Sequence, residues 1–169
     1  MSQLAIPPGR PAALAPDNDP RRALLVFVDR PDCRWLRWLR PGFRHCFVVL
    51  RLDDEWLACD PLLHRLELQR LRLPADFDLA TFYVERGHRV LMGWTDAPTP
   101  PILPSLEPLT CVSVAKRALG LRASRVLTPW QLYRWLLRDR DAANWAEVDP
   151  RSSPAFCSPA GLKLDNTQL

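Results

Sequence analysis

The sequence predicts an α+β fold: an antiparallel β-meander packed against a helix that carries a cysteine at its N-terminus. Three observations predict it. In "FRHCFVVLRLDDEWLACD" (43–60) two β-type runs flank "DDE", the pattern of a hairpin. "HRLELQRLRL" (64–73) alternates polar and apolar residues, as a further strand of the same meander would. "LTCVSVAKRALGL" (109–121) opens on a threonine and a cysteine and continues at helical spacing, ending near Gly120.

The elements follow in order. Residues 1–21 are rich in proline and lack periodicity, which predicts an extended arm. "RALLVFVD" (22–29) is a continuous apolar run closed by Asp29 and Pro31, hence a buried strand. "PDCRWLRWLRPG" (31–42) puts Trp35, Leu36 and Leu39 on one side, with arginines between them, and predicts a short amphipathic helix stopped by Pro41-Gly42. "DLATFYVERG" (78–87) predicts a short helix with Gly87 just past its end. "RVLMGW" (89–94) predicts a strand. Five prolines in "TDAPTPPILPSLEP" (95–108) exclude a regular element there, so this segment is a linker inside a single domain, 22–140.

After the Cys111 helix, "RVL" (125–127) reads as a short extended piece. "TPWQLYRWLLRDRD" then begins with Thr128 at the N-cap, Pro129 at N1 and Gln131 at N3, a capping-box arrangement. Trp130, Tyr133, Leu136 and Leu137 fall at helical spacing and are expected in the core. Residues 141–169 lose periodicity and form a tail that docks or stays mobile.

Composition narrows the function classes. The chain has 169 residues, 23 Lys plus Arg against 19 Asp plus Glu, and a formal charge of +4. The basic residues are nearly all arginine and are spread along the chain. Without a zinc-finger spacing, an RNP-like aromatic motif or a long basic arm, specific nucleic-acid reading is not expected. Five cysteines at wide spacing, without CxxC, do not form a disulfide framework and suit a reducing compartment. No run approaches the length of a membrane span. "MSQLAIPPGRPAALAPDNDP" lacks the basic-then-apolar order of a secretory leader. The expected location is therefore cytoplasmic, or virion-associated on the resemblance given below.

Thiol catalysis needs a thiol beside an imidazole, a group that orients the imidazole, and donors for an oxyanion. Cys111 stands where a helix N-terminus favours thiolate over thiol. If the hairpin turns on Asp53-Asp54, Leu52 faces Glu55 and Asp60 lies opposite Phe47. His45, Phe47 and Asp60 then share a face, with Asp60 diagonal to His45. Cys111, His45 and Asp60 are the candidate catalytic residues. Each also has a plain alternative: a buried core thiol, a strand histidine bonded to its neighbours, and a turn former before Pro61. A metal site from His45, Cys46, Cys59 and Asp60 would need convergent ligands. Alternation turns Cys46 away from His45 and Cys59 away from Asp60, so neither metal nor cofactor is expected.

On "GFRHCFVVL", "WLACDPL" and "TCVSVAKRALGL", the chain resembles papain-like hydrolases of the NlpC/P60 type. In those a helix bearing an N-terminal cysteine packs on an antiparallel sheet, a histidine starts one strand and a polar residue sits on the next. The histidine segment precedes the cysteine here, which resembles the circularly permuted branch that includes lecithin:retinol-acyltransferase-like proteins and bacterial relatives. The resemblance covers about residues 22–137. It implies Cys111 as nucleophile, His45 as general base and Asp60 as orienting residue, in an amidase or peptidase acting on a cell-wall peptide, in a phage or prophage setting. One departure bears on substrate access: many relatives carry a small residue soon after the histidine, where this chain has Cys46 and Phe47. The other expectation is a non-catalytic virion or tail component of the same fold, with protein partners docking the N- and C-terminal arms.

Overall fold

A computed structural model describes residues 21–30, 34–62, 65–74, 76–95, 110–138 and 145–149. The proline-rich arm, nearly all of the 95–108 linker, most of the tail, and Cys33, His64 and Cys157 lie outside the described residues.

The strands are β1 (Arg22–Val28), β2 (His45–Leu52), β3 (Glu55–Pro61), β4 (Leu66–Leu71), β5 (Arg89–Trp94) and β6 (Ala146–Glu147). They form one sheet in the order β4-β3-β2-β1-β5-β6, with every neighbouring pair antiparallel. β1 is central because its run of apolar residues is buried on both faces: Ala23 to Phe27 are at most 1% exposed. The β2–β3 hairpin turns at Asp53, whose φ of 49° is one that aspartate tolerates. Leu52 pairs with Glu55 and Val48 with Cys59, the register expected from a two-residue turn.

Period-two alternation sends two apolar sets to opposite faces of the sheet. On one face, Ala23, Leu25, Phe27, Cys46, Val48 and Leu91 meet α2 (Cys111–Leu119) and α3 (Pro129–Arg138). On the other, Leu24, Val26, Phe47, Val49, Trp56 and Val90 meet α1 (Leu79–Glu85). Each large side chain so buried stabilises the fold by about 1.5–3 kcal/mol.

The helices are set by their ends. Asp78 caps α1 by accepting from the N–H groups of Ala80 and Thr81 at 3.1 Å. Thr110 and Ser113 form a reciprocal capping box at the start of α2, and Gly120, at φ 72°, closes it in the left-handed conformation. At α3 the expected box is present: Gln131 N–H donates to Thr128 Oγ1 at 3.3 Å, and Gln131 Oε1 accepts from Thr128 N–H at 3.1 Å. Lys116, 5% exposed, turns its ammonium inward and donates to the carbonyls of Ala123 and Val126, both at 3.1 Å. It thereby holds the α2–α3 connection against the helix.

Some local expectations need correction. The short helix expected before Pro41-Gly42 is present over residues 34–38 as a 3₁₀ helix, and Trp38 is 93% exposed. The stop comes early because Pro41-Gly42 leaves too few residues to propagate an α-helix. The short piece 125–127 belongs to the loop over Lys116. In α3 the inward stripe is Leu132, Tyr133 and Leu136, whereas Leu137 is 42% exposed; Leu132 and Leu136 are one turn apart, and Leu137 follows on the next face. Part of the tail docks: Trp145 is buried and β6 pairs with β5. Among the described residues no helix is long and apolar enough to cross a membrane.

Candidate active site

β1 ends at the same edge of the sheet where β2 begins, and the chain between them is pinned there. Asp29 Oδ1 accepts from Gly42 N–H at 2.9 Å and pairs with Arg44 at 3.0 Å. Gly42 carries the positive φ, 81°, that the reversal requires. This places His45 at the first position of β2 and buries it to 2% exposure.

Asp60 comes to the same place from β3. Continuing the hairpin register puts it diagonal to His45, and its Oδ1 meets His45 Nε2 at 2.6 Å. Both side chains are 2% exposed. Such a short, charge-assisted contact fixes the ring and leaves Nδ1 as the nitrogen available to a further partner.

Cys111 supplies that partner. It is the first residue of α2 and half-buried, and its thiol hydrogen-bonds His45. The structure therefore brings together all three residues singled out in the sequence. Alternation alone would leave them apart: His45 and Asp60 share the α1 face with Phe47, while α2 lies over the opposite face. The thiol and the ring meet because His45 is the first residue of its strand and Cys111 the first of its helix.

The electrostatics follow from these contacts. Burial disfavours an imidazolium at His45, but hydrogen bonds to Asp60 and Cys111, with their negative charge, more than offset it and raise its pKa from 6.5 to about 10. A hydrogen bond from Cys46 favours the Cys111 thiolate; burial opposes it, His45 and its charge support it, and the pKa falls from 9.0 to about 5. Between those values the pair rests as thiolate and imidazolium. Cys46, fully buried on β2, is pushed the other way by its bond to Cys111, by burial and by the charges of Cys111 and Asp60.

A cavity of about 540 Å3 reaches the His45–Asp60 pair from the α1 side, with Phe47, Tyr83, Arg86 and His88 in its wall. Tyr83 Oη and Asp60 Oδ2 are buried there without a hydrogen-bond partner among the described residues. Burial and the charge of Asp60, against that of Arg86, push the Tyr83 hydroxyl up to about 12. Sequence reasoning missed the cavity and Tyr83, which looks like any apolar position of a short helix. It weighed Cys46 as a metal ligand and as a departure from the resemblance, but not as a neighbour of Cys111. Cys59 faces away from the site. No group of three or more His, Cys, Asp or Glu side chains among the described residues converges as a metal site.

Comparison of the chain with protein-family models, with curated proteins and with solved structures gives no match.

Proposed function

We propose that the chain is a thiol hydrolase of papain-like, permuted architecture that cleaves an amide, peptide or ester bond. One observation carries this reading: a helix-start thiol bonded to a buried histidine whose other nitrogen is held by a buried carboxylate at 2.6 Å. A structural cysteine needs neither partner.

In the proposed reaction the Cys111 thiolate attacks the substrate carbonyl. First-turn N–H groups of α2 stabilise the oxyanion. His45 passes its proton from Nδ1 to the departing amine or alcohol, leaving a thioester on Cys111. Neutral His45 then takes a proton from water, the hydroxide attacks the thioester, and the acid product leaves with the resting ion pair restored. Asp60 does not transfer a proton; it holds the ring and balances its charge. The substrate we propose is a peptide, with cell-wall peptide in a phage or prophage setting as the first choice on the resemblance of the "GFRHCFVVL" and "TCVSVAKRALGL" segments.

The test is the pH profile of Cys111 alkylation by iodoacetamide, followed by peptide mapping of each cysteine. The expected rate rises through a pKa near 5, and His45→Ala returns the midpoint toward that of an ordinary thiol. An inert Cys111, or one titrating near 9.0 in the wild-type chain, would end the hydrolase reading.

A further inference from the structure

The ion pair accounts for Cys111, His45 and Asp60, and Cys46 enters it only as a neighbour that favours the Cys111 thiolate. A hydrolase has no need of a second thiol against its nucleophile, and a buried thiol contributes no more to packing than a small apolar side chain. Cys46 nevertheless points from β2 into the core cluster against which Cys111 packs at the start of α2, and it is completely buried. Both cysteines are free. Cys111, half-buried at the helix start, is the one that solvent-borne reagents reach, and Cys46 lies behind it.

We propose that Cys46 and Cys111 are a reversible redox pair, joined in a disulfide on reaction with a hydroperoxide, and that Cys46 is the resolving thiol. In the first step the Cys111 thiolate attacks one peroxide oxygen and the O–O bond breaks. The departing hydroxide takes the His45 Nδ1 proton and leaves as water, and Cys111 is left as a sulfenic acid. In the second step Cys46 sulfur attacks Cys111 sulfur; the S–O bond breaks, and the released hydroxide combines with the Cys46 proton as a second water. Two thiols are oxidised and one hydrogen peroxide is reduced to two waters. A dithiol reductant reverses the change by thiol–disulfide exchange.

The arrangement suits this chemistry at each point. The attacking sulfur is the ionised and reachable one, and the imidazolium that supplies the proton is already bonded to it. The resolving sulfur is protonated at rest and shielded from bulk peroxide, so it reacts with the sulfenic acid and not with the oxidant. The disulfide removes the nucleophile reversibly and blocks further oxidation to sulfinic acid, which is irreversible for most proteins. None of these steps depends on the chain hydrolysing anything.

The experiment treats the full chain, with all of its cysteines, with increasing hydrogen peroxide and maps disulfide-linked peptides without reduction. The expected result is a peptide pair joining Cys46 to Cys111, removed by dithiothreitol, while dimedone labels Cys111 weakly. In Cys46→Ser, checked for folding by circular dichroism, dimedone labelling of Cys111 should rise at least about tenfold, and sulfinic acid should accumulate that dithiothreitol does not reverse. Wild-type Cys111 that accumulates as sulfenic or sulfinic acid without a link to Cys46 would overturn the proposal. So would a Cys111 disulfide to any other cysteine, or no oxidation of Cys111 at all. The wild-type map decides the matter even if the variant does not fold.

Discussion

The two faces of the sheet are built from the same strands and differ in finish. Under α2 and α3 the core is closed and aromatic. Phe27 and Phe43 lie 5.4 Å apart, Tyr133 meets Phe27 edge-on at 5.5 Å, and Trp130 stacks on Tyr133 at 5.6 Å. Its polar groups are satisfied inside the fold: Lys116 by two carbonyls, and Tyr133 by a 2.6 Å bond to Glu147, which also accepts from Arg89 at 2.9 Å. The face toward α1 is apolar near the middle of the sheet but opens at its edge into the cavity, where Asp60 Oδ2 and Tyr83 Oη are unpartnered among the described residues. The closed face holds α2 and so fixes the thiol, while the open face gives access to the imidazole and carboxylate.

The largest expected effect breaks the link between the faces. Cys111→Ala should abolish turnover of any substrate found, and His45→Ala should lower it by about 10²–10⁴-fold with the fold retained, read by single-turnover kinetics and circular dichroism. Retained activity in Cys111→Ala would separate the thiol from function altogether.

Next comes the difference in packing. Phe27→Ala, in the closed face, should cost about 3–5 kcal/mol in urea unfolding. Phe82→Ala, in the wall of the open face, should cost less, because water already reaches its surroundings. Equal losses would mean that the α1 side is as tightly packed as the other.

The ion pair gives stability a particular pH dependence. His45 has its folded pKa raised from 6.5 to about 10, so its contribution is complete below 6.5 and lost as pH rises through 10. Cys111 has its folded pKa lowered from 9.0 to about 5, so its contribution is complete above 9.0 and lost as pH falls through 5. Between 6.5 and 9.0 the proton taken up by one cancels the proton released by the other. Unfolding free energy should therefore rise from pH 5 to 6.5, stay level to 9, and fall toward 10. Cys111→Ala should lose the rise at low pH.

A smaller effect sharpens the contrast at one atom. A buried hydroxyl without a partner costs about 1–3 kcal/mol, so Tyr83→Phe should leave stability unchanged or raise it. A loss of stability in thermal melts would show that the hydroxyl is satisfied in solution, by water or by a bound molecule. The smallest effect lies far from both cores: Trp38→Ala, at a 93% exposed position, should change unfolding by no more than about 0.5 kcal/mol.

Legibility in the sequence follows the range of the interactions. The hairpin register, the Thr128–Gln131 capping box and the Gly120 stop are set by contacts a few residues apart, and all could be read from local pattern. Leu137 was expected in the core and is half-exposed, because helical spacing alone does not fix how wide the inward stripe is. The His45–Asp60 contact was legible because the turn fixes the register and alternation does the rest. Cys46 against Cys111 was only half legible: alternation gives the face of Cys46, but not which helix covers it.

By itself, then, the sequence determined the α+β class, the strands and their apolar faces, and a thiol at a helix start. Period-two and period-3.6 patterning are properties of the chain alone. Only the tertiary structure decided that α2 begins over the first residue of β2, 66 positions earlier in the chain. That meeting turns an ordinary cysteine and an ordinary histidine into an ion pair, places Cys46 beneath it, and opens the cavity beside it. No local periodicity encodes such a contact; it is set by which helix covers which face of the sheet, and by the end at which that helix begins.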